Sequence, residues 1–240
     1  MIIIIYIIVK KLNTACFSQK NTLPTPWVRT EHSSIKKMNF YEETLKHKVD
    51  NESIVGLKWT STEVVITLVC GTEKRITEGS RLMDLRSLVN LKKFVCIGCS
   101  LKELPLLPNS LEVLECSNNP LRTINTPLPQ GLKNFWCEDC SLIELSLLPN
   151  FLEAFYCSKN PLRTINTPLP QGLKRFWCSD CSLTELPLLP DSLEAFSCYG
   201  NPLRIINTPL PQGLKVFYCD NCSLTEKPVV NKNTRMSDYN

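Results

Sequence analysis

Leu111-Glu-Val-Leu-Glu-Cys-Ser-Asn-Asn-Pro-Leu121 decides the fold, because the chain writes it again and again. Leucine holds positions one, four and eleven of this stretch, Cys116 position six and Asn119 position nine. Leu132 to Leu142 (LKNFWCEDCSL) keeps the skeleton, with a phenylalanine at position four and Cys140 where Asn119 stood. Copies begin at Leu91, Leu111, Leu132, Leu152, Leu173, Leu193 and Leu214, alternating steps of 20 and 21 residues. L-x-x-L-x-L-x-x-N/C-x-L is the signature of a leucine-rich repeat, here with cysteine in place of the third leucine.

The signature implies geometry. Positions three to seven form a short strand, so side chains alternate between the interior and the concave face. Positions one, four, six, nine and eleven face inward, with position nine bonding the backbone of the turn. The return path carries Leu104-Pro-Leu-Leu-Pro108 and Thr126-Pro-Leu-Pro129 and similar segments. Proline fixes φ and cannot donate, so these read as polyproline II rather than helix. The expected fold is a parallel β-solenoid with a concave sheet, an extended convex side and little helix.

Outside the repeats the chain divides less sharply. MIIIIYIIVKK opens it, and eight apolar residues from Ile2 to Val9 are too few for a membrane-spanning helix, which needs about 20. Lys10 and Lys11 follow the apolar run, the reverse of a signal peptide. Residues 1–37 are read as a disordered or non-native extension, with Met38 as the working start. Residues 38–90 are read as an N-terminal cap, in which 53–70 form a strand or hairpin over the first repeat. Leu82, Leu85, Leu88 and Leu91 fit either a short helix or a degenerate repeat. The seven copies fill 91–230, and 231–240 are a polar tail.

Composition narrows the function. The 240 residues are 43% hydrophobic and carry a net charge of +4, too small and scattered to argue for nucleic acid. Nothing points to a membrane, a cofactor or a particular oligomeric state. Eleven of the thirteen cysteines fall at positions six and nine, which makes them core residues first. The pairs Cys96/Cys99, Cys137/Cys140, Cys178/Cys181 and Cys219/Cys222 have zinc-like spacing. Successive pairs stand two coils apart, ~10 Å, whereas zinc holds sulfur at ~2.3 Å, so two pairs cannot share an ion. Thiol-based metal binding stays as an alternative, and disulfides are disfavoured in the cytoplasmic location expected here.

Two columns stand out. Position two alternates sign through Lys92, Glu112, Lys133, Glu153, Lys174, Glu194 and Lys215, a ladder that penalises slippage by one coil. Position five carries Val95, Glu115, Trp136, Tyr156, Trp177, Ser197 and Tyr218. Trp136, Tyr156, Trp177 and Tyr218, with Arg175, Asp139 and Asp180 at the rim, are the candidate partner-binding residues, since exposed Trp and Tyr anchor interfaces. The competing reading is that aromatics on adjacent strands steady one another. Catalysis finds little support: His32 and His47 lie outside the repeats, and Glu103, Glu144, Glu185 and Glu226 are spread along the outer side.

Repeats of this length with an LPxLPxxLxxLxxxxNxL grammar resemble the short leucine-rich repeats of bacterial effectors. They are most similar to leucine-rich-repeat proteins of giant viruses of amoebae. That resemblance covers roughly residues 82–230 and implies a protein-interaction module, one that would act on host factors in the host cytoplasm. Some effector relatives carry a C-terminal ubiquitin-ligase domain with a catalytic cysteine, and nothing of that activity is carried over to the residues here. A structural repeat protein without a single partner remains the second reading.

Overall fold

The computed structural model describes residues 84–236 and three strands before them. The expectations for residues 1–37, and for Met38 as the start, lie outside the described residues. Among those described there is no helix, and none is long and apolar enough to cross a membrane. All strands belong to one eleven-stranded sheet.

Seven three-residue strands occupy positions three to five of the repeats, shorter than the three-to-seven span the sequence implies, because the chain turns left-handed by position eight. They are β4 (Lys93–Val95), β5 (Val113–Glu115), β6 (Asn134–Trp136), β7 (Ala154–Tyr156), β8 (Arg175–Trp177), β9 (Ala195–Ser197) and β10 (Val216–Tyr218). Each pairs in parallel with the next in equivalent register, for instance Phe135 with Phe155 and Trp136 with Tyr156. The solenoid is the leucine-rich-repeat fold expected from the sequence.

At the N-terminal end β1 (Ile54–Trp59) pairs in parallel with β4 and sets Leu57 opposite Phe94. Leu57 therefore fills position four of an incomplete coil and is buried. From β1 the chain turns back through β2 (Val64–Leu68) and β3 (Glu73–Ile76), both antiparallel. Leu85, Leu88 and Leu91 are fully buried on successive tight turns, Leu88 N–H donating to Leu85 O and Leu91 N–H to Leu88 O. The degenerate-repeat alternative is the one adopted, because Leu85 N–H also binds Leu106 O on the next coil. At the other end β11 (Arg235–Met236) adds a parallel strand to β10, within the residues read as a polar tail.

The core is a set of columns. Position four stacks Phe135, Phe155, Phe176, Phe196 and Phe217, with ring centroids 5.4–5.8 Å apart and planes within 20° of parallel. Leu114 interrupts the column between Phe94 and Phe135. The position-six cysteines Cys96, Cys116, Cys137, Cys157, Cys178, Cys198 and Cys219 form a second buried column. On the convex side each coil closes by a turn from proline to the next position one, as in Leu132 N–H to Pro129 O at 3.1 Å. The outermost residues there, Leu147, Leu188 and Val229, stay in solvent.

The turn after each strand is left-handed. Gly98, Asn118, Asp139, Lys159, Asp180, Gly200 and Asn221, all at position eight, have φ between 51° and 68°. Glycine, asparagine and aspartate tolerate this region best, which accounts for six of the seven. Lys159 adopts it without that preference.

Position nine explains the 41-residue period. Asn160 Oδ1 accepts from the N–H groups of Cys140 and Leu142 in the coil before, at 2.9 Å each. Its Nδ2 donates to Cys137 O of that coil and to Cys157 O and Ser158 O of its own. Asn119 and Asn201 repeat the scheme. The alternate cysteines have less to accept: in the coil before them Leu121 N–H donates to Asn119 O and Leu162 N–H to Asn160 O, which leaves the Asn119 and Asn160 N–H groups to Cys140 and Cys181 Sγ. Cys140, Cys181 and Cys222 then direct Sγ–H at Cys116 O, Cys157 O and Cys198 O, at 3.2, 3.1 and 3.0 Å.

Candidate functional site

Alternation in β6, β7 and β8 buries Phe135, Phe155 and Phe176 and turns Trp136, Tyr156 and Trp177 onto the concave face. Trp136 and Tyr156 stack at 5.0 Å with planes 2° apart, and Tyr156 and Trp177 at 5.1 Å and 28°. The sequence reading left these rings in solvent. The register instead brings each against its neighbour, so all three are half-buried and only their edges and outer faces remain open. Tyr218 stands apart from the stack, since Ser197 lies between it and Trp177.

Arg175 is exposed two residues before Trp177 on the same strand; the Glu194 carboxyl is held below its usual range first by the hydrogen bond from Lys215, with the Lys174 and then the Arg175 charges adding to it. Asp139 and Asp180 are both exposed at left-handed turns, so their identity has a backbone reason alongside any binding one. A side chain at Gly200 would collide with the Asp180 carboxylate, which therefore leans over the following coil. Glu138, beside Trp136, is pushed up by partial burial, countered by the Lys159 ammonium and a hydrogen bond with Ser158. The margin at positions seven and eight is acidic, with Glu138, Asp139, Asp180 and Asp220 against Lys159.

The position-two ladder closes only in part. Glu112 bridges Lys92 and Lys133 at 2.8 Å each, and the hydrogen bonds from Lys133 and then Lys92 draw its carboxyl down to about 2. Lys174 meets Glu153 at 3.1 Å and Lys215 meets Glu194 at 2.6 Å. Each glutamate can turn to either neighbour, so the alternation yields groups rather than one continuous chain. Exposed pairs of this kind contribute ~0–1 kcal/mol apiece.

The cysteines do not converge on a metal: among the described residues no three His, Cys, Asp or Glu side chains are grouped to hold one. None of the eleven described cysteines is joined in a disulfide. Burial raises Cys96, Cys137 and Cys178 well above the ordinary thiol range, and Cys219 to about 12. Cys140, Cys181 and Cys222 are instead lowered, first by hydrogen bonds with Cys116, Cys157 and Cys198, but they too are buried away from the reagent. Iodoacetamide at pH 8 should therefore label few of the eleven in the native protein and all eleven in denaturant without prior reduction. Intact mass reads the result, and pairs that stay unlabelled in denaturant would mean disulfides.

A depression at the C-terminal end of the convex side is lined by Ile205, Ile206, Leu210, Glu226, Pro228 and Val229. Asn207, Thr208 and Lys227 complete its polar lining.

These features define a leucine-rich-repeat solenoid with an aromatic strip on its concave sheet. No family model matches the chain, and no curated protein matches it. Among solved structures it is similar to YopM, a leucine-rich effector protein from Yersinia pestis, at 30% identity and a TM-score of 0.52, over 59% of this chain and 40% of that one. YopM from Yersinia enterocolitica WA-314 is similar at 26% identity and a TM-score of 0.48, over 68% of this chain and 46% of that one. The chain thus spans less than half the length of either.

Proposed function

We infer that this protein is a non-enzymatic interaction module that holds a protein partner against its concave face. The observation that carries the reading is the stacked strip Trp136–Tyr156–Trp177, two inter-strand steps long and flanked by Arg175 on one side and an acidic margin on the other. Stacking fixes the rings before a partner arrives, so little rotamer entropy is lost when their open edges are covered. A strip ~10 Å long accepts one helix or one extended segment lying across the strands. The Yersinia pestis neighbour is named as an effector, and the likeness to repeat proteins of amoebal giant viruses points the same way. On both grounds the partner is a host protein met in the host cytoplasm.

One observation favours a structural reading: rings stacked this closely stabilise adjacent coils whether or not anything binds. Capture from host cytosol with the Trp136→Ala, Trp177→Ala double variant separates the two. Each lost stack should cost about 0.5–1.5 kcal/mol of stability, and the phenylalanine column should keep the variant folded. Truncating central anchors should weaken the partner by about thirtyfold or more, the factor that 2 kcal/mol sets. Arg175→Glu, at an exposed side chain, should change on-rate and salt dependence without altering melting. A folded double variant that retains its partner at full affinity returns the strip to a structural role.

A further inference from the structure

The convex side carries a ridge of exposed apolar residues, one from each coil. On their return segments the coils that begin at Leu91, Leu132, Leu173 and Leu214 present Leu106, Leu147, Leu188 and Val229. These side chains are 39%, 81%, 82% and 90% exposed. The coils between them present Pro127, Pro168 and Pro209, exposed at the same height. No helix separates the coils on this side among the described residues. Ile143, Thr184 and Thr225 N–H donate to Arg122 O, Arg163 O and Arg204 O at 3.0–3.3 Å. The coils are therefore about one strand spacing apart here too, and the ridge runs nearly straight for six steps, ~29 Å. An apolar row of this length left in solvent marks an interaction surface.

The 41-residue period makes this surface its own complement. Branched side chains stand two coils apart, with a flat proline ring between each two. The flank beside the ridge repeats the alternation in charge. The leucine and valine coils carry Glu144, Glu185 and Glu226, and the proline coils carry Arg122, Arg163 and Arg204. All six are exposed, and none is ion-paired among the described residues. Glu226, Val229 and Pro209 line one depression, so flank and ridge share a surface. The opposite flank is rich in amides, among them Asn150, Gln171 and Gln212.

We propose that two copies of this chain dock back to back along the ridge, with antiparallel solenoid axes and the two-fold between the coils of Pro168 and Leu188. Leu188 then lies on Pro168 of the other copy, Leu147 on Pro209 and Val229 on Pro127. The same operation sets Glu185 opposite Arg163, Glu144 opposite Arg204 and Glu226 opposite Arg122. Each pair occurs twice, as an isologous interface requires. Parallel axes would instead set leucine on leucine and the charged flank against the amides. The docking leaves both concave faces open and pointing apart, so it goes beyond the partner reading and does not depend on it.

Sedimentation equilibrium of the full chain over a micromolar concentration range should show a dimer. The Leu147→Glu, Leu188→Glu double variant changes two exposed side chains, so it should keep its circular dichroism spectrum while association weakens about a hundredfold or more. Glu185→Arg and Arg163→Glu each put like charges across the two-fold and should each weaken self-association about tenfold. Mixed in equal amounts, these two single variants carry opposite charges at both contacts and should form a heterodimer about as tight as the parent dimer. A parent that stays monomeric, a folded leucine double variant that still dimerises, or single variants whose mixture does not pair each overturns the proposal. So does a dimer lost in the Trp136→Ala, Trp177→Ala variant, which would put the contact on the concave face. A monomeric parent that sediments with phosphatidylcholine vesicles likewise overturns it and gives the ridge to a membrane.

Discussion

Leu114→Asp unfolds the repeats. Leu114 is fully buried on β5, between Phe94 of β4 and Phe135 of β6. The substitution removes a packed side chain and leaves a carboxylate among rings, with no basic group in the column. Losing the leucine alone costs about 2–5 kcal/mol, and burying an unpaired charge adds several more. The sum rivals the ~5–15 kcal/mol that holds a whole domain together. Because a solenoid's coils rest on their neighbours, the break separates the cap and first coil from the five coils that follow. Circular dichroism and thermal melting should show a lost or broadened transition. Leu114→Phe is the control, extending the existing column for a cost of about 1–3 kcal/mol from overpacking. An aspartate variant that melts like the parent would mean that position four does not face the core.

The large features of this fold were legible because they are periodic. Leucine at one and eleven, an apolar residue at four and cysteine at six each recur every coil, and a recurring apolar position in a solenoid has one place to go. Proline on the return path excluded helix for a local reason, its fixed φ and absent N–H. What could not be read depends on relations between coils. Trp136, Tyr156 and Trp177 form a column on the page, but whether they stand in water or against one another depends on strand register and rotamer, which no single coil contains. The same holds for Glu112, which takes two lysines while Glu153 and Glu194 each take one. Ser197 reads as a small residue in an aromatic column; that it is covered, with its hydroxyl 2.7 Å from Ser179 Oγ, appears only once the coils are stacked. Asp139 and Asp180 were visible as charges, while their left-handed backbone appears only in the folded turn.

Asn160→Ala should cost about 3–5 kcal/mol, chiefly through donors left buried without acceptors. The amide reaches two coils. It supplies the acceptor for the Cys140 and Leu142 N–H groups, and its Nδ2 ties the Cys137 and Cys157 carbonyls together. Cys140 and Leu142 are themselves buried, so water does not replace what the alanine removes. Two orphaned N–H groups at about 1–3 kcal/mol each outweigh the few tenths gained from a less restricted side chain. Asn160→Cys is the more telling variant, because cysteine occupies position nine in the coils on either side. Sγ can donate to the coil before it, as Cys140 does to Cys116 O, but it is a weak acceptor and cannot serve two N–H groups. Cysteine is therefore expected to cost nearly as much as alanine at 160. The reciprocal Cys140→Ala should cost less, since it removes only the weak bonds of a sulfur, to Cys116 O and from Asn119 N–H, and some packing volume. Chemical denaturation of the three variants measures the order. If Asn160→Cys matched the parent, position nine would be interchangeable from coil to coil, and the alternation of asparagine with cysteine would lose its structural reason.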